Sequence, residues 1–533
     1  MKKEDSNVVS HLVGDFGKWQ ATISFLLSLL KLPIGWFQLS IVFLAPVTNF
    51  WCAVPKEGNS WFADMSPTER INYTMNNCDV ECSEYAFNTT VFKSTIISEW
   101  LLICDREQLS NVVQMTFMLG VLIGNVIFGI TSDRYGRKIP LMIAIAVQSA
   151  TSLLTAFVPW FLGFLLLRFL LAISTGGIMV TSFVLCIEMV GGKWRTSIPI
   201  LYQIPFGLAN SIMAIMAYFL RDWRNLTFTM SLISLSFMSY WWLIPESPRW
   251  LLAMGENEKA ADILNKAGKV NGLKSKDFYT VLTSFKGSSG VKEGEEPSTK
   301  SPPFFKLFQT KRLRRTTLSL FFNWFVAGLS VFGFSQYISF IGKNDDVFVH
   351  FTIGGLVTIP GTLLCIFFVN KFGRKKTIIS SCVIYGFSCM MVATVPSGAY
   401  SHDWPKIFFA GISLTAMSIA FPALYLYAGE LLPTVARNGG LGVSSMFARI
   451  GSMVAPFVLS TRNWNEHAPL IILGSLPFIA VFLLISLPET KNQTLPDTIE
   501  DGENFGKKIK NGDDVVGEVK KKTIDARSLN PES

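Results

Sequence analysis

Charge is scarce in this sequence, and histidine scarcer still. Only 16% of the 533 residues are Asp, Glu, Lys or Arg, too few to clothe a water-soluble fold when half of the chain is hydrophobic. The four histidines, His11, His350, His402 and His467, stand far apart and offer no metal-ligand spacing. No Gly-rich loop of the phosphate-cradling kind occurs, so neither a metal, a cofactor nor an enzymatic centre is expected. Acid is missing from the middle of every long apolar run, which argues against a proton relay built on a mid-membrane carboxylate. The net charge of +9 is dispersed over loops and tails, a distribution that excludes a nucleic-acid surface.

What the chain has in abundance is apolar length. A helix needs about 20 apolar residues to cross a bilayer, and lipid gives the backbone no partners, so spans must be helical. Twelve candidate spans follow: 20–46, 110–131, 139–157, 160–183, 197–220, 226–244, 317–341, 347–369, 377–395, 405–428, 439–461 and 468–487. The first is too long for a cleavable signal peptide and is interrupted by Lys31. The predicted fold class is therefore an all-α integral membrane protein in a lipid bilayer.

Short loops on one side carry Arg134, Arg137, Lys138, Lys193, Arg195, Lys371, Arg374, Lys375, Lys376 and Arg437; those on the other carry only Arg221, Arg224, Lys343, Lys406 and Arg462. The asymmetry predicts that the first set and both termini are cytoplasmic. The expected organisation is a cytoplasmic N-terminus (1–19), a six-helix bundle (20–244) with an extracellular loop (47–109), a cytoplasmic linker (245–316), a second six-helix bundle (317–487) and a cytoplasmic tail (488–533). A helix is expected near Asn257 to Ala267. The polar stretch Lys286 to Lys300 reads as flexible linker, and the tail lysines from Lys507 to Lys522 as a solvated tail.

Four of the eight cysteines, Cys52, Cys78, Cys82 and Cys104, fall in the exterior loop. They predict two disulfides, with three pairings open. The same loop holds glycosylation patterns at Asn72 and Asn88; a third, at Asn492, is on the predicted cytoplasmic side.

Three signatures occur twice. Asp133-Arg134-Tyr135-Gly136-Arg137-Lys138 is answered by Asn370-Lys371-Phe372-Gly373-Arg374-Lys375, 237 residues on. Glu188, seven residues before Arg195, is answered by Glu430, seven before Arg437, and Pro245-Glu246-Ser247 by Pro488-Glu489-Thr490. One half copies the other, the mark of two bundles that rock about a site between them. Asp133, Arg137, Glu188, Arg195, Glu430 and Arg437 are the candidate gating charges, since acids accompany the bases at repeated spacing. Gly136 and Gly373 would permit tight turns.

Within the spans the fixed charge is basic: Lys31, Arg168 and Arg449. Arg449 is ten residues past Gly439 and twelve before Thr461, about 15 Å from either end of its span and too deep to snorkel easily. It is the leading candidate to receive a carboxylate or sulfonate through a forked pair of hydrogen bonds; the competing reading is a structural Arg held by span carbonyls or by Ser444. Lys31, beside Pro33, faces either the cavity or the interface.

The run Phe128 to Lys138 resembles the signature of the major facilitator superfamily. Ser98-Glu99-Trp100 to Cys104-Asp105-Arg106, Glu430 to Arg437, and Pro488-Glu489-Thr490-Lys491 to Ile499 resemble, more narrowly, the organic ion transporter family. The resemblance implies the major facilitator fold, with two pseudo-symmetric six-helix halves, and a multi-pass plasma-membrane carrier of small organic ions. It also implies an anti-cation pattern: cation members typically have an acid in the eleventh-span segment that here reads Ser445 to Gly451 and another at the place of Thr358, whereas anion and carnitine-type members have Arg at the place of Arg449. Anion members often carry Lys where this chain has Thr362, which leaves zwitterions well placed. Rings at Phe332 and Tyr425 match cavity-lining positions of the family, and Arg168 matches a packing or coupling position. The expected function is secondary transport of organic anions or carnitine-like or amino-acid-derived zwitterions by alternating access; the alternatives are an organic cation carrier, a sugar porter using Gln203 and Asn323, or a receptor without transport.

Overall fold

The computed structural model describes residues 13–46, 48–55, 66–79, 82–192, 194–273, 307–341, 347–396, 400, 403–433, 436–491, 493, 496 and 499–505. Lys193, Lys343, His11, His402, Asn492, the Lys286 to Lys300 stretch and the tail lysines lie outside them, as does the side chain of Arg195.

All twelve apolar runs are helical. Eleven of the spans contain helices long and apolar enough to cross a membrane. The first span is built from Lys18–Leu29, Lys31–Leu39 and Ile41–Leu44; the second to fifth follow as Gln108–Tyr135, Lys138–Thr155, Phe161–Met189, and Trp194–Leu201 with Ile204–Leu220. The sixth differs from the rest. It is divided into Trp223–Ser236, a 3-10 turn Phe237–Ser239 and Tyr240–Leu243, so no single helix reaches spanning length. Hydroxyls accompany the division: Ser236 and Ser239 donate back to the carbonyls of Ile233 and Ser236, both at 2.7 Å, bonds that compete with the helical ladder. The seventh to twelfth spans are Lys311–Tyr337, Val347–Phe372, Arg374–Thr394, Trp404–Leu431, Arg437–Ser460 and Ala468–Ile485.

Within each half, spans cross where a side chain is missing. A Cβ at Gly124 would collide with the Ile173 carbonyl, and one at Gly328 with the Ala448 carbonyl, so the second span meets the fourth, and the seventh the eleventh, backbone against backbone. Between the halves, the fifth span packs on the eighth and the second on the eleventh.

Two elements lie outside the bundles. The loop 47–109, expected to be exterior, contains a two-stranded antiparallel sheet, β1 (Phe50–Pro55) and β2 (Cys82–Phe87), which the apolar pattern did not reveal. Cys52 is bonded to Cys82 across this sheet, and Cys78 to Cys104, which selects one of the three pairings. After the sixth span, a short helix Pro248–Ala253 precedes the expected linker helix, which runs Asn257–Val270. Asn271 at its end accepts the backbone N–H of Trp19 at 2.9 Å and donates to Gln20 Oε1 at 2.9 Å, tying the linker to the start of the first span.

Candidate functional site

The deepest charges meet between the halves. Arg449 is 5% exposed; its Nη2 lies 3.0 Å from Met179 Sδ in the fourth span, and its guanidinium stands 5.8 Å above the Phe332 ring. Its Nε has no partner among the described residues. Ser444 is not that partner, since it donates to the Gly440 carbonyl at 2.7 Å. A guanidinium that meets, among the described residues, a thioether and a ring retains hydrogen-bonding capacity for an anionic oxygen.

Lys31 approaches from the other half. It is also 5% exposed, and its Nζ lies 4.9 Å from the centre of the Tyr202 ring. No carboxylate is paired with it among the described residues, and its like charge interacts with that of Arg449. Tyr202 is fixed by a 2.6 Å hydrogen bond with Ser182. From Tyr202 a chain of rings crosses between the halves: Phe183 at 5.7 Å, then Tyr425 at 6.0 Å, then Trp324 at 4.3 Å. Two cations and an aromatic wall therefore enclose the centre, with Lys31, Phe332, Tyr425 and Arg449 all contributing. Met179 and Gln38, whose Nε2 reaches the same sulfur at 4.0 Å, were not singled out by sequence because neither interrupts an apolar pattern with a charge.

Arg168 stands apart from this group. It is 1% exposed, donates to Ser40 Oγ at 3.2 Å and lies over Phe117 at 4.9 Å and Phe164 at 5.8 Å, an arrangement in keeping with packing in the first half.

The repeated charges form two latches. In the first half Arg137 Nη2 pairs with Glu188 at 2.9 Å and its Nη1 with Asp133 at 2.7 Å. Burial would lower the Arg137 pKa, but the Glu188 and Asp133 carboxylates reverse that and raise it above its ordinary value. In the second half Glu430 takes Arg374, at 2.7 Å, and the Thr490 hydroxyl, at 2.6 Å. Arg437 instead donates from Nε to the Leu432 carbonyl at 3.3 Å. All three ion pairs stay within their own half. Each latch is completed by a motif carboxylate: Glu246 accepts the N–H of Arg137 at 2.8 Å and Glu489 that of Arg374 at 2.9 Å. Gly136 and Gly373, at φ of 94° and 95°, make the turns beneath these bonds, which a side chain would strain.

At the opposite end an aromatic plug joins the halves. Phe348, at the start of the eighth span, meets Phe43 at 5.7 Å, Tyr218 at 5.6 Å and Phe92 of the exterior loop at 5.3 Å. The loop itself is clamped to the first half. Glu99 pairs with Arg224 and accepts Trp223 Nε1 at 2.8 Å, Trp100 donates to the Pro159 carbonyl at 3.1 Å, and Lys93 N–H meets the Arg221 carbonyl at 2.8 Å. Asn72 is exposed on this loop, and Asn88 Oδ1 accepts the Thr90 hydroxyl at 2.7 Å.

Paired six-helix bundles meeting over a buried polar centre define a membrane carrier of the major facilitator kind. Residues 65–500 match the family described as "Sugar (and other) transporter". The chain is 34% identical to the "Organic cation transporter protein" of Drosophila melanogaster over 94% of its own length and 95% of that protein, and 32% identical to "Solute carrier family 22 member 3" of Mus musculus, over 92% and 94%. Among solved structures it resembles the xylose transporter XylE of E. coli in a partially occluded inward-open conformation, with a TM-score of 0.62, 18% identity, and coverage of 90% of this chain and 100% of that one; at that identity the likeness shows the fold alone. The chain belongs to the organic ion transporter family of the major facilitator superfamily. It is a multi-pass membrane transporter and not an enzyme.

Proposed function

We propose that this protein is a plasma-membrane secondary transporter that favours small organic anions or zwitterions, such as carnitine-like or amino-acid-derived molecules, and moves them by alternating access. The observation that carries the reading is the pair Lys31 and Arg449, one cation from each half, both buried and neither matched by a carboxylate among the described residues. A buried cation without a counter-ion is costly, and a substrate carboxylate seated between the two offsets that cost. Phe332 and Tyr425 receive the apolar or ammonium part of the molecule. Asp133, Arg137, Glu188, Arg374 and Glu430 act in gating by exchanging partners as the halves rock, and Arg195 and Arg437, the further bases of the repeated signatures, take part in that exchange. The basic loops and both termini are cytoplasmic, the halves divide at the linker 245–316, and Asn72 and Asn88 carry glycans outside.

A second reading, an organic cation carrier, has its own support: the Drosophila relative is called an organic cation transporter, and the ring wall offers cation–π contacts to an ammonium. Uptake of labelled carboxylates, quaternary ammonium ions and hexoses into cells at clamped membrane potential separates the two readings and the sugar alternative. Arg449→Gln removes a charge-assisted bond of ~1.5–3 kcal/mol, so carboxylate uptake is expected to fall about tenfold or more while ammonium uptake holds. Preferential ammonium uptake, unchanged by this substitution, overturns the anion reading in favour of the cation carrier.

A further inference from the structure

On the outer face of the second half, the eighth, ninth and tenth spans leave between them a groove of about 720 Å³. It opens outward past Ile353, Phe372, Ile384 and Phe408, each 39% to 58% exposed. From Ile353 to Phe372 the eighth span rises ~28 Å, nearly the thickness of the hydrocarbon core and enough to take a full acyl chain with its glycerol end. Gly411 widens the middle: a Cβ there would meet nothing within 4 Å. This surface is apart from the central site between the halves.

Its one charged lining residue among those described is Lys376, on the side that carries the basic loops. The neighbouring bases are already engaged. Arg374 holds Glu430, Lys375 donates to the Ile485 and Leu487 carbonyls at 2.8 and 2.6 Å, and Lys371 lies over the Phe367 and Phe372 rings. Lys376 is exposed and makes no such contact among the described residues. Nor does the repeated loop require a base there, because the matching residue of the first half, 237 positions earlier, is Ile139. An uncommitted ammonium at the polar mouth of an apolar groove, flanked by the hydroxyl-bearing Thr377 and Ser380, matches the charge order of one molecule type, a lipid with an anionic head and a long tail.

We propose that this groove holds one anionic phospholipid, its acyl chain lying between the eighth, ninth and tenth spans and its phosphate at Lys376. The test is native mass spectrometry of the full-length, detergent-purified protein offered equal amounts of dioleoyl phosphatidylglycerol and dioleoyl phosphatidylcholine. The native chain is expected to retain one phosphatidylglycerol in preference to phosphatidylcholine. At about 1 kcal/mol per basic residue near a lipid head, Lys376→Gln should weaken that preference about fivefold, and Lys376→Arg should keep it. Gly411→Phe, whose Cβ has open space within 4 Å and whose ring would occupy the groove, should reduce retention of both lipids; a monodisperse size-exclusion profile identifies folded variants. Retention unaltered by Lys376→Gln and Gly411→Phe overturns the proposal. So does retention of cholesterol, offered in a separate arm, in place of phosphatidylglycerol, since the groove would then belong to a neutral sterol.

Discussion

Glu489 accepts the backbone N–H of Arg374 at 2.9 Å, repeating in the second half the 2.8 Å bond from Arg137 to Glu246 in the first. The two glutamates come from the motifs that follow the last span of each half, so each bundle is closed on itself by its own chain end. A carboxylate at the start of a helix also meets the positive end of its dipole. The latches are not identical: Asn370 stands where Asp133 does in the first, and in the later one Glu430 also accepts the Thr490 hydroxyl.

Glu489→Gln and Glu246→Gln should each lower the melting temperature of the purified protein, because a charge-assisted bond to backbone N–H is worth about 1.5–3 kcal/mol. Thermal unfolding in detergent reads this directly. Melting curves that superimpose on the native one would remove the motif carboxylates from the closure of the bundles.

Arg374 and Glu430 should behave as one unit in transport. Alanine at either position is expected to reduce uptake, and the double variant to be no worse than the single ones, with a coupling of roughly 0.5–3 kcal/mol. The same cycle run on Arg437 and Glu430 should show a weaker coupling, from the part of the cycle in which Glu430 exchanges partner. Strictly additive effects there would remove Arg437 from the exchange.

Replacing Cys78 by Ser should expose Cys104 to a membrane-impermeant maleimide and leave Cys52 and Cys82 unlabelled, as their separate bond requires. Labelling followed by peptide mass spectrometry distinguishes this from either alternative pairing.

Phe348→Ala should loosen the exterior plug. Its ring meets Phe43, Phe92 and Tyr218, and aromatic pairs contribute ~0.5–1.5 kcal/mol each, enough to shift the population toward an outward-open form by tenfold or so. A cysteine placed at Phe332 should then react faster with an impermeant reagent from outside. An unchanged rate would assign closure to other contacts.

The twelve spans were legible because hydropathy over about 20 residues is a direct physical demand of the bilayer. The division of the sixth was not, since its serines are as compatible with a continuous helix as with a break. The basic centre at Arg449 could be read from depth alone, and Phe332 and Tyr425 from the family's pattern. The Arg374 partner of Glu430 could not: no local spacing joins the two, and the Gly373 turn presents Arg374 from 56 residues away. Local periodicity likewise gave no sign of the β1–β2 hairpin, whose pairing spans a loop held by disulfides.

The exterior loop is fastened through Glu99, Trp100 and Lys93 to one bundle, and its ring contact with the other is Phe92 resting on Phe348. A hood hinged to one jaw has no spring to stretch when the jaws part. Its hairpin and both cystine bonds ride along intact, so the mouth opens against a few phenyl contacts and the 3.0 Å hydrogen bond from Asn463 to Glu107, and not against the stability of the hood.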